Sequence, residues 1–330
     1  MTVGDLILGG RYEVLREVRG SIGNAHVEIG TKGVCRFCDK RDPSKFRNIA
    51  HTFPEALGNK WVTSLDECDD CNDAFSLYDD ALANAVAPFL TLGGVEGKGG
   101  KTRQTGRSKG DRVLERRKAD PRSQIFVHAT GVDLANVAGI GLDGKLKFKL
   151  PIAGVPFRPR HAYKALSKMG FALLPDTELC NYQRLRSWLL NRDDTEEFPN
   201  LEVCMSFDWI GNAPKFAMGT LLRRVSPTDI TPHILFIFCA GSVCFQIDLM
   251  SDHKEDHLPP VPRGAIKIEY SVTVDGGDGR YLKFDYRNLR HFNWSTHETR
   301  PQPIDAMMLD FDPRTCEGQL TPIIRSIWRS

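Results

Sequence analysis

The sequence predicts an α+β fold in two unequal parts, and two observations carry that prediction. Four of the nine cysteines, Cys35, Cys38, Cys68 and Cys71, fall into two pairs at CxxC spacing in the first quarter of the 330-residue chain. That spacing suits a small metal-stapled unit. From about residue 119 onward, runs rich in β-branched and aromatic residues alternate apolar and polar positions, the pattern of a larger domain built mainly of antiparallel strands.

Composition narrows the class further. Apolar residues make up 41% and charged residues 26% of the chain, values of a soluble globular protein. The net charge of +2 means that any nucleic-acid footprint must come from local clustering of cations. Residues 1–20 mix Asp5, Arg11, Glu13, Arg16 and Glu17 with apolar side chains and lack the pattern of a signal peptide. The most apolar stretch, residues 234–247, carries Gly241 and Ser242 near its middle and reads as two buried strands around a turn, too short to span a bilayer. A cytoplasmic protein without membrane contact is expected.

Four segments follow along the chain: an N-terminal extension (1–30), a metal-stapled module (31–95), a basic flexible loop (96–118) and a C-terminal α+β domain (119–330). In the last, residues 123–128 and 145–150 read as strands, and residues 160–173 as a helix with Ala162, Leu166, Met169 and Leu173 on one face. A second helix is expected over 178–190. Further strands are expected over 201–210, 216–225, 234–250, 265–274 and 281–286. Cys180, Cys204, Cys239, Cys244 and Cys316 sit among apolar neighbours and read as buried thiols. His253 and His257 lie in a polar segment before Pro259 and read as loop.

The two CxxC pairs are separated by 29 residues. A two-residue gap lets both thiolates of a pair reach one tetrahedral ion, and four sulfurs leave no open position, so the ion is expected to be structural zinc. A disulfide framework is the alternative for these cysteines. The second pair, Cys68-Asp69-Asp70-Cys71, runs into Asn72-Asp73-Ala74-Phe75, which reads as a helix start. A hairpin and a helix around four cysteines make a treble-clef arrangement. Such a finger by itself is most often purely structural.

Between the pairs lies Ile49-Ala50-His51-Thr52-Phe53-Pro54-Glu55-Ala56-Leu57-Gly58-Asn59. With Cys35-Arg36-Phe37-Cys38 before it and Cys68-Asp69-Asp70-Cys71-Asn72 after it, this stretch resembles the HNH endonuclease family, in the branch whose ββα-metal core is pinned by four cysteines. The resemblance covers about residues 34–100. It implies a metal-dependent endonuclease that hydrolyses DNA phosphodiesters, RNA being the other possible substrate. His51 is implied as general base and Asn72 as a ligand of one divalent ion, Mg²⁺ or Mn²⁺. Imidazole chemistry agrees, since histidine can take a proton from water near neutral pH.

For His51 alone the competing reading is a structural histidine, and for Asn72 a helix N-cap. The position before the general base, often a metal ligand in the family, is Ala50 here. Glu55, Asp79 and Asp80 are the candidates to supply the missing ligand, with a solvated helix face as the competing reading. Between Glu96 and Lys118 nine cations face three acids, an excess of six positive charges. Lys98, Lys101, Arg103, Arg107 and Lys109 are therefore candidate phosphate contacts. The C-terminal domain carries no chemical motif; dimerisation, ligand sensing or a protein partner are its expected uses. Proteins of the resembled family with such an appended domain include bacterial proteins of defence against foreign DNA. A non-catalytic zinc module that binds nucleic acid or protein is the alternative function.

Overall fold

The structure is a computed structural model and describes residues 10–100, 102, 112–116, 125–129, 138–151, 155–193, 200–207, 213–254, 256, 272–275, 279, 281–284, 289–300, 304–312, 314–315 and 317–324. In chain order the elements begin with β1 (Tyr12–Ser21), β2 (Val27–Ile29), β3 (Ala50–His51), β4 (Val62–Ser64), α1 (Asp69–Ala85) and α2 (Ala87–Leu92). Strands β5 (Arg112–Arg116), β6 (Ile125–Ala129), β7 (Ala138–Ile140) and β8 (Leu146–Pro151) follow, then helices α3 (Pro159–Leu173) and α4 (Gln183–Leu190). The remainder is β9 (Glu202–Phe207), β10 (Phe216–Arg224), β11 (Ile234–Ala240), β12 (Val243–Asp248), β13 (Val272–Asp275), β14 (Tyr281–Phe284), β15 (Arg290–Asn293), β16 (Ile304–Asp312) and β17 (Glu317–Ile324).

The centre is a six-stranded antiparallel sheet in the order β1-β10-β11-β12-β9-β15. The segment expected as an N-terminal extension thus contributes its strand β1, paired with β10 from Tyr12↔Arg224 to Ser21↔Phe216. The apolar run at 234–247 forms the expected hairpin, β11 and β12, every residue of which is buried. One face of the sheet carries α3. The other packs Met218, Leu235, Ile237 and Cys244 beneath the small β13–β14 hairpin. A separate four-stranded sheet runs β17-β16-β8-β7.

Helix α3 has the expected apolar spacing, yet all fifteen of its residues are buried. It lies between β10 and β11 on one side and α1 on the other. An amphipathic pattern ordinarily leaves one face to water; here that polar face, with Lys164 and Lys168, is covered by the stapled module.

The module docks on the sheet through Phe53, whose ring centroid is 5.1 Å from that of Phe238. Residue 219 must be glycine for this approach, since a Cβ there would stand 2.7 Å from Phe53 Cζ and 2.8 Å from Leu173 Cδ1. One continuous apolar core therefore includes Phe37, Leu57, Phe75 and Leu82 of the module together with Leu166, Met169, Phe236 and Trp294.

Several expectations are revised. The stretch 178–190 divides into a 3₁₀ segment over Asp176–Tyr182 followed by α4. The loop expected over 96–118 contains strand β5, which pairs with β6 from Arg112↔Ala129 to Arg116↔Ile125; Val113 is β-branched and a partner strand lies close by in sequence. Cys180 is exposed rather than buried, whereas Cys204, Cys239 and Cys244 are buried. Strand β9 is described to Phe207, and within the expected strand 265–274 the described part starts at Val272. Cys316, His257 and residues 103–111 lie outside the described residues. Among the described residues no helix is long and apolar enough to cross a membrane.

Candidate functional site

The four cysteines converge. Their sulfurs all lie within 4.8 Å of one another, with Cys35 to Cys71 at 3.8 Å and Cys38 to Cys68 at 3.6 Å. A tetrahedral ion with zinc–sulfur bonds of about 2.3 Å needs sulfurs about 3.8 Å apart, so the donor set and its spacing fit structural zinc. Among the described residues this is the one group of three or more His, Cys, Asp or Glu ligands close enough to hold a metal.

Local backbone explains the first knuckle. Cys35 N–H donates to the Lys40 carbonyl at 2.8 Å and Asp39 N–H to the Cys35 carbonyl at 2.9 Å. Asp39 closes the turn in the left-handed region at φ 58°, where aspartate is among the better-tolerated residues. The Cys71 side chain, with backbone N–H groups of Cys68, Cys38 and Phe37, holds the Cys35 thiol down at about 4 against burial; the thiolate is the form zinc binds. Arg36, between the two cysteines, donates to Asp66 at 2.7 Å, the Leu174 carbonyl at 2.9 Å and Asp176 at 3.0 Å. The knuckle is thereby tied to the chain beyond α3.

The second knuckle is the start of α1. Cys68 is its N-cap residue, and the first helical bond runs from Asn72 N–H to the Cys68 carbonyl at 2.9 Å. Asn72 is thus inside the first turn rather than at the cap, and half-buried. Asp69 and Asp70 occupy that first turn, where negative charge suits the helix dipole. The incoming loop neutralises both: Asn48 N–H donates to Asp69 at 3.0 Å, and Lys40 and Lys45 pair with Asp70.

His51 ends the two-residue strand β3, paired with Thr63 of β4. The connection between them is short and heavily bonded. Asn59 is fully buried, and its amide donates to the Phe53 and Val62 carbonyls at 2.8 and 2.9 Å. Its carbonyl oxygen accepts from Trp61 and Val62 N–H at 3.1 and 3.0 Å. Gly58, at φ 93°, ends the 3₁₀ turn Glu55–Leu57 in a conformation that disfavours side chains.

The His51 ring is half-buried, and Nδ1 is enclosed without a hydrogen-bond partner. Burial lowers its pKa below the ordinary 6.5; Glu55 pulls the other way, while Lys168, Lys60 and His26 reinforce the lowering. The ring is therefore neutral near pH 7, as a base must be before it accepts a proton.

The other predicted residues have distinct surroundings. Glu55 pairs with Lys60 at 2.7 Å, and Lys60 also donates to the Gly97 carbonyl at 2.9 Å. Asp80 is exposed. The Asp79 carboxyl is buried with Oδ1 unpartnered, and burial raises its pKa to about 6 against the pull of Lys168. Of the aromatics around the site, Phe53 and Phe75 are buried and Trp61 is half-buried. The side chains of Lys98, Lys101, Arg103, Arg107 and Lys109 lie outside the described residues.

Two contributors were not assigned a role from sequence. Asn59 ends the stretch that carries the family resemblance, but its place as the tie of the turn is read from the structure. Lys168, on α3, donates to the His51 carbonyl oxygen at 2.9 Å and pairs with Glu67 at 3.0 Å, with both side chains almost wholly buried.

A hairpin bearing a neutral histidine, a helix entered through a cysteine knuckle and a four-sulfur staple between them define a zinc-pinned ββα-metal module. Residues 35–85 match the model of the HNH endonuclease family, and this stretch is an HNH module. No curated protein and no solved structure matches the chain. The family match points to nuclease chemistry on nucleic acid.

Proposed function

We propose that the protein is a metal-dependent endonuclease that hydrolyses phosphodiester bonds of DNA, with His51 as general base. The observation that carries this reading is the environment of His51: a ring kept neutral by burial and neighbouring cations, on a hairpin held rigid by Asn59. In this reading His51 takes a proton from water as the water oxygen attacks phosphorus; the bond to the leaving oxygen breaks, that oxygen takes a proton from solvent, and His51 returns its own to solvent. The staple fixes the hairpin against α1, so that the base and the helix face one scissile phosphate.

A divalent ion, Mg²⁺ or Mn²⁺, would supply charge stabilisation of the phosphorane-like transition state. Asn72 and Glu55 are the residues we assign to it, with Asp80 in reserve; Asp79 belongs instead to the buried group around Lys168. A shell of few protein ligands fits such an ion, because Mg²⁺ commonly keeps several waters and relies on substrate phosphate oxygens. The cations from Lys98 to Lys109 are assigned to backbone phosphates, and the region from residue 119 to a supporting and regulatory role. Defence against foreign DNA remains the biological setting suggested by the resemblance.

The test is plasmid nicking in Mg²⁺ or Mn²⁺ by the wild type and by His51→Ala. Nicking by the wild type and a loss of about 10²–10⁴-fold in the variant are expected for removal of a general base. Equal cutting by both, or none by the wild type on DNA, refutes the reading.

A further inference from the structure

Buried charge needs a reason. An ammonium moved from water into a protein interior costs several kcal/mol unless partners compensate it, and α3 buries two lysines one turn apart, Lys164 and Lys168. Lys164 is accounted for chiefly by α4: it donates to the Asn191 carbonyl at 2.7 Å and lies 4.9 Å from the Trp188 ring centroid and 5.3 Å from that of Tyr78 on α1. Lys168 is different, because its polar partners lie on the HNH module. Its Nζ reaches the His51 carbonyl at 2.9 Å across 117 positions of sequence, and Glu67 at 3.0 Å. Asp79 faces it electrostatically, and the Phe75 ring centroid is 5.9 Å away. Burial opposes its charge, but Glu67 and Asp79 outweigh that and hold its pKa above the ordinary value.

The connection meets the module at β3, its shortest strand, where Thr52 N–H also donates to the Val62 carbonyl at 3.2 Å. Strand β3 has two residues, and its ladder consists of the pairs Ala50↔Ser64 and His51↔Thr63. The direction of the His51 peptide sets where the imidazole points, and a charged donor on that carbonyl fixes it. Packing alone would be served as well by methionine or leucine at position 168.

We propose that Lys168 is a positioning residue of the nuclease site: from α3, outside the family-matched stretch, its ammonium holds the main chain of His51 against the Glu67 corner, so that the geometry of the base depends on the larger part of the chain. The proposal rests on the reading of His51 as general base. It makes the HNH module incomplete by itself, because the group that orients the base comes from a helix of the neighbouring domain.

Removal of Lys168 alone leaves Glu67 unpaired in the interior, so the test uses two double variants of the full chain, Lys168→Met/Glu67→Gln and Lys168→Gln/Glu67→Gln. Neither buries an unpaired Glu67 carboxylate. They differ in whether position 168 retains an N–H donor for the His51 carbonyl. Zinc content and thermal melting report the fold, plasmid nicking reports kcat and KM, and NMR follows the His51 ring through a pH titration.

The expected result for the methionine variant is full zinc content, unchanged KM and a kcat reduced at least tenfold, with part of that loss recovered in the glutamine variant. The His51 titration should also move to higher pH, because Lys168 opposes protonation of the ring, whereas Glu67, removed with it, is not among the charges that act most on it, Glu55, Lys168, Lys60 and His26. Equal kcat in both variants and the wild type overturns the proposal, as does a kcat loss that merely tracks lost zinc. If the wild type cuts no DNA, the functional reading fails; the His51 titration still decides whether Lys168 governs that ring, and an unchanged titration rejects it.

Discussion

The zinc staple and the surroundings of His51 share one short stretch of sequence and are built on opposite principles. The staple is local in its ligands: each knuckle is short, and the four thiolates come from the Cys35–Cys38 turn and the start of α1, with Arg36 tying the first knuckle to Leu174 and Asp176. The His51 site is assembled from a distance. Its turn is tied by Asn59 within the module, but its carbonyl is held by Lys168, 117 positions away, and its docking surface is the central sheet through Phe53 and Gly219. Metal coordination tolerates variation in what surrounds it, because bond lengths and a tetrahedron set the geometry. A catalytic base has no such internal standard and takes its geometry from everything packed against it.

That contrast can be broken at several points. The largest effect is expected for Cys68→Ser, which removes a ligand and the knuckle at the start of α1. Zinc bound per chain, measured after gel filtration, should fall to near zero with loss of the cooperative melting transition, since binding energy at such a site is folding energy. Retained stoichiometry would show that Cys68 is not an essential ligand, and lost zinc with an unchanged melt would show that the hairpin and helix hold without the ion.

A smaller effect is expected for Asn59→Ala. Four side-chain hydrogen bonds disappear, and the Phe53 carbonyl and the Trp61 and Val62 N–H groups lose Asn59 while the Val62 carbonyl keeps Thr52 N–H, at a cost of about 2–4 kcal/mol in chemical denaturation. Zinc should stay bound while nicking falls, because the turn that carries His51 loosens and the knuckles do not. Equal loss of zinc and activity would mean that staple and hairpin form one cooperative unit.

The mildest perturbation is pH. A base works only when deprotonated, and the pKa of His51 lies below the ordinary 6.5, first through burial and then through Lys168, Lys60 and His26. The activity therefore declines as pH falls through a value below about 6.5, and is level from there to neutrality. The same sign holds for stability: a histidine whose folded pKa is depressed favours the folded state above its unfolded value, and that contribution is lost as pH falls through the folded one. An acid limb of kcat/KM centred above 6.5 would identify a different titrating group.

Much of this architecture was legible because its signals are periodic or closely spaced. The CxxC pairs, the helix entered at the second pair, the hairpin at 234–247 and the apolar stripe of α3 each follow from local pattern. The 3₁₀ segment before α4 and the strand at Arg112–Arg116 were not, since both depend on partners that local propensity does not specify. Cys180 lies in that 3₁₀ segment, and its exposure could not be read from apolar neighbours in sequence.

By itself the sequence determined the staple and the identity of the module, because ligand type, ligand spacing and the residues between the knuckles are properties of one short stretch. Only the tertiary structure decided that the polar face of α3 is an interior surface, that Asp79 lies in a buried cluster with Glu67 and Lys168, and that the carbonyl of His51 is held from outside the module. The physical reason is burial. A lysine on an amphipathic helix is written the same way whether it faces water or a buried carboxylate, and the packing of α1 against α3 makes the difference.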